Sequence, residues 1–129
     1  MKASVFWKSG TSMIGINARN QEIALDWEDG PSPMEVTLQM VGACSLVDVV
    51  IGLKEREFTE VWVECDAERA ETTPRVFTEI KMKYHIKGNV PLKLAQRIVE
   101  KSHDKYCSVS NMLNEKVIIQ HEVILHDLD

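Results

Sequence analysis

The sequence predicts an α+β fold, in which helices cover an antiparallel sheet and one long helix is buried at the centre. Three observations support this fold class. Apolar residues recur at every second position in segments near both ends and in the middle of the chain. A long, nearly continuous apolar run follows the first of these segments, and shorter stretches with helical periodicity precede the last one. The expected order of elements is βββ-α-ββ-α-α-β.

The first 27 residues are predicted to form two or three antiparallel strands. Short apolar alternations at residues 14–16 and 23–25 are separated by Gly10 and by a polar stretch at residues 19–21. Charge, Gly and Pro then interrupt the pattern at residues 28–32, which is the composition of a loop.

The sequence predicts a long helix over residues 33–53. Ser32 is a favourable N-cap, Pro33 suits the first helical position, and Glu35 completes the capping-box pattern S-x-x-E. Apolar residues lie almost all round this helix, so we expect other elements to bury it. A membrane span is the alternative, but polar residues interrupt the run at Glu35, Thr37, Gln39, Ser45 and Asp48.

The second half of the chain alternates between strand and helix patterns. Period-two alternation predicts strands at residues 60–69 and 75–87, joined as a hairpin through residues 71–74. An amphipathic helix is predicted from Pro91 to about His103. A short helical piece at residues 108–113 and a final strand at residues 117–125 complete the expected fold.

Length and charge limit the class of protein. A chain of 129 residues fits one domain spanning residues 1–129. The net charge of −5 argues against a nucleic-acid binder, which needs a concentrated basic patch. The N-terminus has no apolar core of a secretory signal, so we expect a cytoplasmic protein that does not bind membranes.

Three widely spaced cysteines match neither a secreted disulfide framework nor a zinc site. Cys44 lies in the middle of the apolar helix, where a cysteine is often only a small hydrophobic residue. Two neighbours suggest more: Gly42 indicates a close approach to the helix backbone, and Asp48 places an acid on a helix committed to the core. The simpler role for Asp48 is to orient a cationic or hydroxyl neighbour.

The other two cysteines differ in their surroundings. Cys107 stands where the short helix at residues 108–113 should begin, and free amide N–H groups favour a thiolate at such a position. A packed structural cysteine is the alternative there. Cys65 shares a strand face with apolar residues, which favours core packing.

Three motifs resemble those of the OsmC/Ohr family, closest to its YhfA-like branch. They are PSPME at residues 31–35, VGACSLVDVV at residues 41–50 and KYCSVS at residues 105–110. The resemblance extends along essentially the whole chain. It implies the OsmC-like fold and an intertwined homodimer with two active sites at its interface.

The resemblance also implies a function for individual residues. Cys44 would be the peroxidatic cysteine, Cys107 the resolving cysteine, and Glu35 a polar partner of the reacting thiol. Members of the family place an arginine beside the peroxidatic sulfur. Arg19 is the only arginine in the first 55 residues, yet its polar surroundings indicate a solvated hairpin tip.

The implied activity is reduction of organic hydroperoxides by a thiol-dependent peroxidase. A Cys44 sulfenic acid would condense with Cys107, and an external dithiol would reduce the resulting disulfide. No metal, flavin or nucleotide is expected. Two rivals stay open: a non-catalytic redox-responsive or small-ligand-binding protein on the same fold, and a plain structural dimer that forms no disulfide.

Glu35 is expected to serve Cys44 of the other chain of the dimer. On a straight helix the nine residue steps from Glu35 to Cys44 correspond to a rotation of about 900° and a rise of about 13.5 Å. A direct contact within one chain is therefore excluded for such a helix. The alternative role is capping alone, because Glu35 already completes a capping box with Ser32.

Overall fold

The computed structural model describes residues 1–113 and 115–129. The fold is α+β, and its strands and helices follow the predicted order, with an additional π-helical turn before the last helix. The chain forms two compact units, Met1–Leu38 and Gln39–Asp129. The single domain expected over residues 1–129 stays a prediction.

The first unit contains an antiparallel sheet of three strands, β1 (Ala3–Ser9), β2 (Ser12–Asn17) and β3 (Glu22–Asp26). Gly10 has a φ of +52°, so the turn between β1 and β2 uses a conformation that favours glycine. Arg19 lies in the β2–β3 turn and is exposed. Its backbone N–H donates to the Asn17 side chain at 2.9 Å. The N-terminal strands and the hairpin tip are thus confirmed.

The capping box that begins α1 (Pro33–Gly52) is formed as predicted. The Ser32 N–H donates to Glu35 Oε1 at 2.9 Å, and the Glu35 N–H donates to Ser32 Oγ at 3.2 Å. The hydrogen bond from the Ser32 backbone, aided by the Ser32 hydroxyl, holds the pKa of the Glu35 carboxyl below its usual value. The helix therefore begins at the expected residue, and it ends one residue before the expected end.

The second unit contains a sheet in the order β4 (Glu57–Arg69), β5 (Phe77–Asn89) and β6 (Ile118–His126). β4 and β5 form the predicted antiparallel hairpin. β6, however, pairs with β5 in parallel, with Ile80 opposite Ile119. The expected antiparallel sheet is therefore corrected to a mixed one. The helical segment between β5 and β6 is long enough to return the chain to the start of β5, as a parallel pair requires.

The helix α1 buries one stripe within the chain rather than its whole circumference. Gly42 belongs to this stripe, and a Cβ at this position would lie 3.1 Å from Cys65 Sγ and 3.3 Å from Val63 Cγ1. The close approach predicted from Gly42 is thus confirmed. The spacing of the buried positions puts them on one helix face: Val41, Gly42, Ser45 and Val49.

The remaining apolar side chains of α1 are uncovered in the single chain. Val47 is 56% exposed and Ile51 is 60% exposed, and Met40 and Val50 are exposed as well. α1 is long and apolar enough to cross a membrane, but core helices of soluble proteins can have the same length and composition. The side chains of one chain therefore do not bury the whole helix.

The connection from β5 to β6 carries α2 (Leu92–Lys101), a π-helical turn (Ser102–Tyr106) and α3 (Ser108–Met112). α2 is amphipathic, and its Ala95 and Val99 are fully buried. The core of the second unit is formed by large apolar side chains from α1, β5 and α2. Its fully buried members include Val41, Val49, Leu53, Ile80, Tyr84, Ile86 and Val99.

Candidate active site

Cys107 lies at the junction between the π-helical turn and α3, and it is fully buried. Its N–H donates to the Ser102 carbonyl oxygen at 2.7 Å, a bond that spans five residues as in a π-helix. Cys107 is the N-cap of α3, because its sulfur accepts the Ser110 N–H at 3.4 Å. The Asn111 side chain donates to the carbonyl oxygens of His103 and Cys107 and ties the two helical segments together.

Cys44 projects from α1 and is partly buried. It lies near Cys107, whose pKa the Cys44 thiol raises. The structure thus brings together two cysteines that are far apart in the sequence. Both are free thiols.

The surroundings of Cys107 favour its neutral form. Burial is the main reason that its pKa lies above the usual thiol value, and the nearby Cys44 raises it further. The Ser110 N–H and hydroxyl act in the opposite direction, because each can donate to the sulfur once it is ionised. Burial wins, so the Cys107 side chain is a thiol at neutral pH.

Cys65 has the structural surroundings predicted for it. It is partly buried on β4, where its sulfur packs against the backbone of α1 at Gly42. Burial raises the pKa of the Cys65 thiol, and a neutral thiol is a poor nucleophile.

A chain of buried polar side chains connects α1 with β5 and the π-helical turn. Ser45 Oγ lies 2.5 Å from the Tyr84 hydroxyl and 2.9 Å from Ser102 Oγ. The Ser102 hydroxyl donates to Asp48 Oδ2 at 2.7 Å. The hydroxyl neighbour expected for Asp48 is thus Ser102. Burying these groups would be unfavourable without the hydrogen bonds that they form with one another.

His103 continues this chain towards Cys107. Its Nε2 lies 2.7 Å from the Tyr84 hydroxyl, and its Nδ1 lies 3.1 Å from Ser110 Oγ. The ring also stacks on His121 of β6, with centroids 5.4 Å apart. Burial and, to a lesser extent, the neighbouring His121 lower the pKa of His103 to about 4, against the opposing effect of Asp104 and Asp48. His103 is therefore neutral at physiological pH.

Sequence reasoning did not identify His103, Tyr84 and Ser110 as parts of this site. Tyr84 follows the same period-two alternation as its apolar neighbours on β5, so its pattern indicates only a core position. His103 stands four residues before Cys107, at the expected end of the amphipathic helix. The sequence therefore offered one signal for His103, namely a histidine at the end of an amphipathic helix and close to a candidate nucleophile.

The third predicted site residue, Glu35, belongs to the first unit, whereas both site cysteines belong to the second. Its carboxylate accepts the Ser32 N–H. Arg19 also belongs to the first unit. In the described residues, 1–113 and 115–129, no group of three or more His, Cys, Asp or Glu side chains is arranged to hold a metal ion.

Comparisons with known proteins give the same family as the motifs. The family model described as OsmC-like protein matches residues 27–122. Protein YhfA of Escherichia coli strain K12 is 38% identical over 128 residues, covering 94% of this chain and 95% of that protein.

Two solved structures have the same fold. A hypothetical protein from Aquifex aeolicus has a TM-score of 0.84 and 30% identity, with 96% of both chains covered. An organic hydroperoxide resistance protein from Elizabethkingia anophelis has a TM-score of 0.72 and 17% identity, with 95% of both chains covered. By its motifs, its fold and these matches, the chain belongs to the OsmC-like family.

Proposed function

We propose that this protein is a thiol-dependent peroxidase that reduces organic hydroperoxides. The proximity of Cys44 to Cys107, together with the free state of both thiols, is the observation that carries the proposal. Two free thiols that lie near each other are the minimum that a disulfide cycle requires. The third cysteine, Cys65, packs against the α1 backbone at Gly42.

In the proposed cycle the Cys44 thiolate attacks the distal oxygen of the hydroperoxide. The O–O bond breaks, the alkoxide takes a proton and leaves as the alcohol, and Cys44 becomes a sulfenic acid. Cys107 then attacks the sulfenic sulfur, which forms the Cys44–Cys107 disulfide and releases water. An external dithiol restores both thiols by exchange and is itself oxidised.

The surroundings of the two cysteines support this division of roles. Cys44 is partly exposed, so a substrate can reach its sulfur, whereas Cys107 is fully buried. Because burial raises the pKa of Cys107, this residue rests as a thiol and suits the second, intramolecular step. The solved relative from Elizabethkingia anophelis is named an organic hydroperoxide resistance protein, which fits this substrate class.

Apolar surface on α1 supports a preference for an alkyl hydroperoxide over hydrogen peroxide. Val47 and Ile51 are exposed, three and seven residues after Cys44 on the same helix. Transfer of an alkyl tail from water to such a surface gains up to about 0.8 kcal/mol for each buried methylene. Equal second-order rate constants for hydrogen peroxide and a bulky alkyl hydroperoxide would contradict this preference.

The exposed apolar face of α1 also supports the proposal of a homodimer. A second copy would cover apolar side chains such as Met40 and Val50, which water contacts in the single chain. We further propose that Glu35 of one chain orients Cys44 of the other. Dimers that combine Glu35→Ala in one chain with Cys44→Ser in the other would then retain about half of the activity, from one intact site in two. Near-background activity in these mixed dimers would contradict the assignment.

The cycle is tested by following free thiols, disulfides and turnover after one equivalent of an organic hydroperoxide. Peptide mapping should find a Cys44–Cys107 disulfide within one chain and an unmodified Cys65. Cys44→Ser should abolish turnover with a dithiol reductant, and Cys107→Ser should stop after one oxidation and accumulate a sulfenic acid. Cys65→Ser is the matched control and should turn over normally.

The same measurements separate the proposed enzyme from its rivals. Disulfide formation without sustained turnover would favour a redox-responsive protein. A main disulfide that includes Cys65, or equal turnover of the wild type and Cys44→Ser, would contradict the proposed mechanism. The proposed location is the cytoplasm, where reducing systems supply dithiols.

A further inference from the structure

Three hydroxyl groups connect Asp48 to His103 by hydrogen bonds. Their protons can all be placed in only one direction along this chain. Ser102 gives its single hydroxyl proton to the Asp48 carboxylate. The Ser45 hydroxyl must therefore donate to Ser102, and the Tyr84 hydroxyl must donate to Ser45. Tyr84 has then no proton left for His103, so the Nε2 of His103 carries the proton and donates to the Tyr84 oxygen.

This direction determines the tautomer of His103. A neutral imidazole has one N–H, and here it is on Nε2, which leaves Nδ1 as an acceptor. Nδ1 accepts the Ser110 hydroxyl at 3.1 Å. The Ser110 oxygen keeps free lone pairs, and Ser110 lies against the Cys107 sulfur, to which its N–H donates at 3.4 Å and on whose pKa its hydroxyl acts. Ser110 thus adjoins both the Cys107 sulfur and the basic nitrogen of His103.

We propose that His103, acting through Ser110, accepts the Cys107 proton while Cys107 forms its disulfide with Cys44. The inference rests on the proposed thiol cycle and adds a positioning residue to its second step. As the S–S bond forms, the thiol proton moves to the Ser110 oxygen, and the Ser110 proton moves to Nδ1. The S–O bond of the Cys44 sulfenic acid breaks, and hydroxide leaves. The hydroxide takes the proton that His103 accepted, which forms water and restores neutral His103.

Other titratable groups around this path support a transient transfer. His103 faces Asp48 on α1, Tyr84 on β5, His121 on β6 and the adjacent Asp104, while Cys107 faces Cys44. Burial lowers the pKa of His103 to about 4 and raises the pKa of Cys107. The proton therefore stays on sulfur in the resting protein. It moves only when the forming S–S bond withdraws electron density from the Cys107 sulfur and makes its proton more acidic.

The test measures the rate of disulfide formation between pH 6 and 8 in stopped-flow experiments. A neutral His103 is available over this whole range, so the wild-type rate should change by less than about threefold. In His103→Gln and Ser110→Ala the reaction needs the free thiolate, whose fraction rises tenfold per pH unit below its pKa. At pH 7 both variants should be about 100-fold slower than the wild type, and Cys44 oxidation should keep its wild-type rate.

Two further variants separate proton acceptance from packing. His121→Gln removes the ring that stacks on His103 and leaves the hydrogen-bond path intact, so it should retain the flat pH profile. His103→Asn places an amide oxygen near the position of Nδ1, where it accepts a hydrogen bond from Ser110 but is not a base. Its profile should follow that of His103→Gln. A wild-type rate in His103→Asn would overturn the proposal.

Each reaction is run with an organic hydroperoxide and, separately, with diamide, which oxidises two thiols to a disulfide and is itself reduced to the hydrazine. If only the diamide reaction occurs, the proposed peroxidase fails while the role of His103 is still measured. Nitrogen-15 NMR at pH 7 should show the Nε2–H tautomer of His103. The Nδ1–H tautomer, or identical pH profiles in wild type and in folded Ser110→Ala, would overturn the proposal.

Discussion

The buried, neutral His103 predicts how the stability of the protein depends on pH. Burial lowers its pKa from 6.5 to about 4 in the folded state. Between these two values the unfolded chain binds more protons at this site than the folded chain, so the free energy of unfolding rises with pH. Stability from this group is fully present above pH 6.5 and is lost as the pH falls to about 4.

The magnitude follows from the difference between the two pKa values. A difference of about 2.5 corresponds to about 3.4 kcal/mol, at 1.36 kcal/mol per pKa unit. His103 is only partly buried, so solvent screens its interactions, and we expect about 2 kcal/mol. In His103→Gln this contribution to the pH dependence should disappear.

Urea unfolding between pH 4 and 7, at one protein concentration, measures this effect. The wild type should gain about 2 kcal/mol more than His103→Gln across this range. The carboxyls of Asp26 and Glu35 have lowered pKa values, so they add stability that is lost only below about pH 4.5. Parallel stability curves for the two proteins from pH 4 to 6.5 would refute the reasoning.

Two other substitutions test how α1 is positioned. Gly42→Ala should lower the free energy of unfolding by about 1 kcal/mol, because the new Cβ presses on Cys65 and Val63, and in a Cys65→Ala background this loss should largely vanish. An equal loss in both backgrounds would exclude the contact with Cys65 as its cause. Glu35→Ala removes half of the capping box and should lower the melting temperature by a few degrees at pH 7. As the pH falls below the lowered pKa of the Glu35 carboxyl, the group is protonated and the two melting temperatures should converge, and a difference that stays constant into strongly acidic solution would contradict the role of the carboxylate.

Local sequence signals predicted most secondary structure because each depends on a few neighbouring residues. The capping box of Ser32 and Glu35 specified the start of α1 by hydrogen bonds within one turn. Period-two alternation specified the β4–β5 hairpin to within three residues at each end. The parallel pairing of β6 was not predictable in this way, since an alternating strand has the same pattern in either orientation.

The sequence by itself determined the α+β class, the two candidate cysteines and the acid at Asp48, because motif and periodicity are properties of the chain. Only the tertiary structure showed that Cys44 lies near Cys107 and that Tyr84 and His103 join Asp48 to the same cluster. These side chains come from α1, β5, the π-helical turn and the junction before α3, and each alone has the pattern of an ordinary core or helix position. Their polarity becomes informative only when packing removes water and leaves each group dependent on the others for its hydrogen bonds.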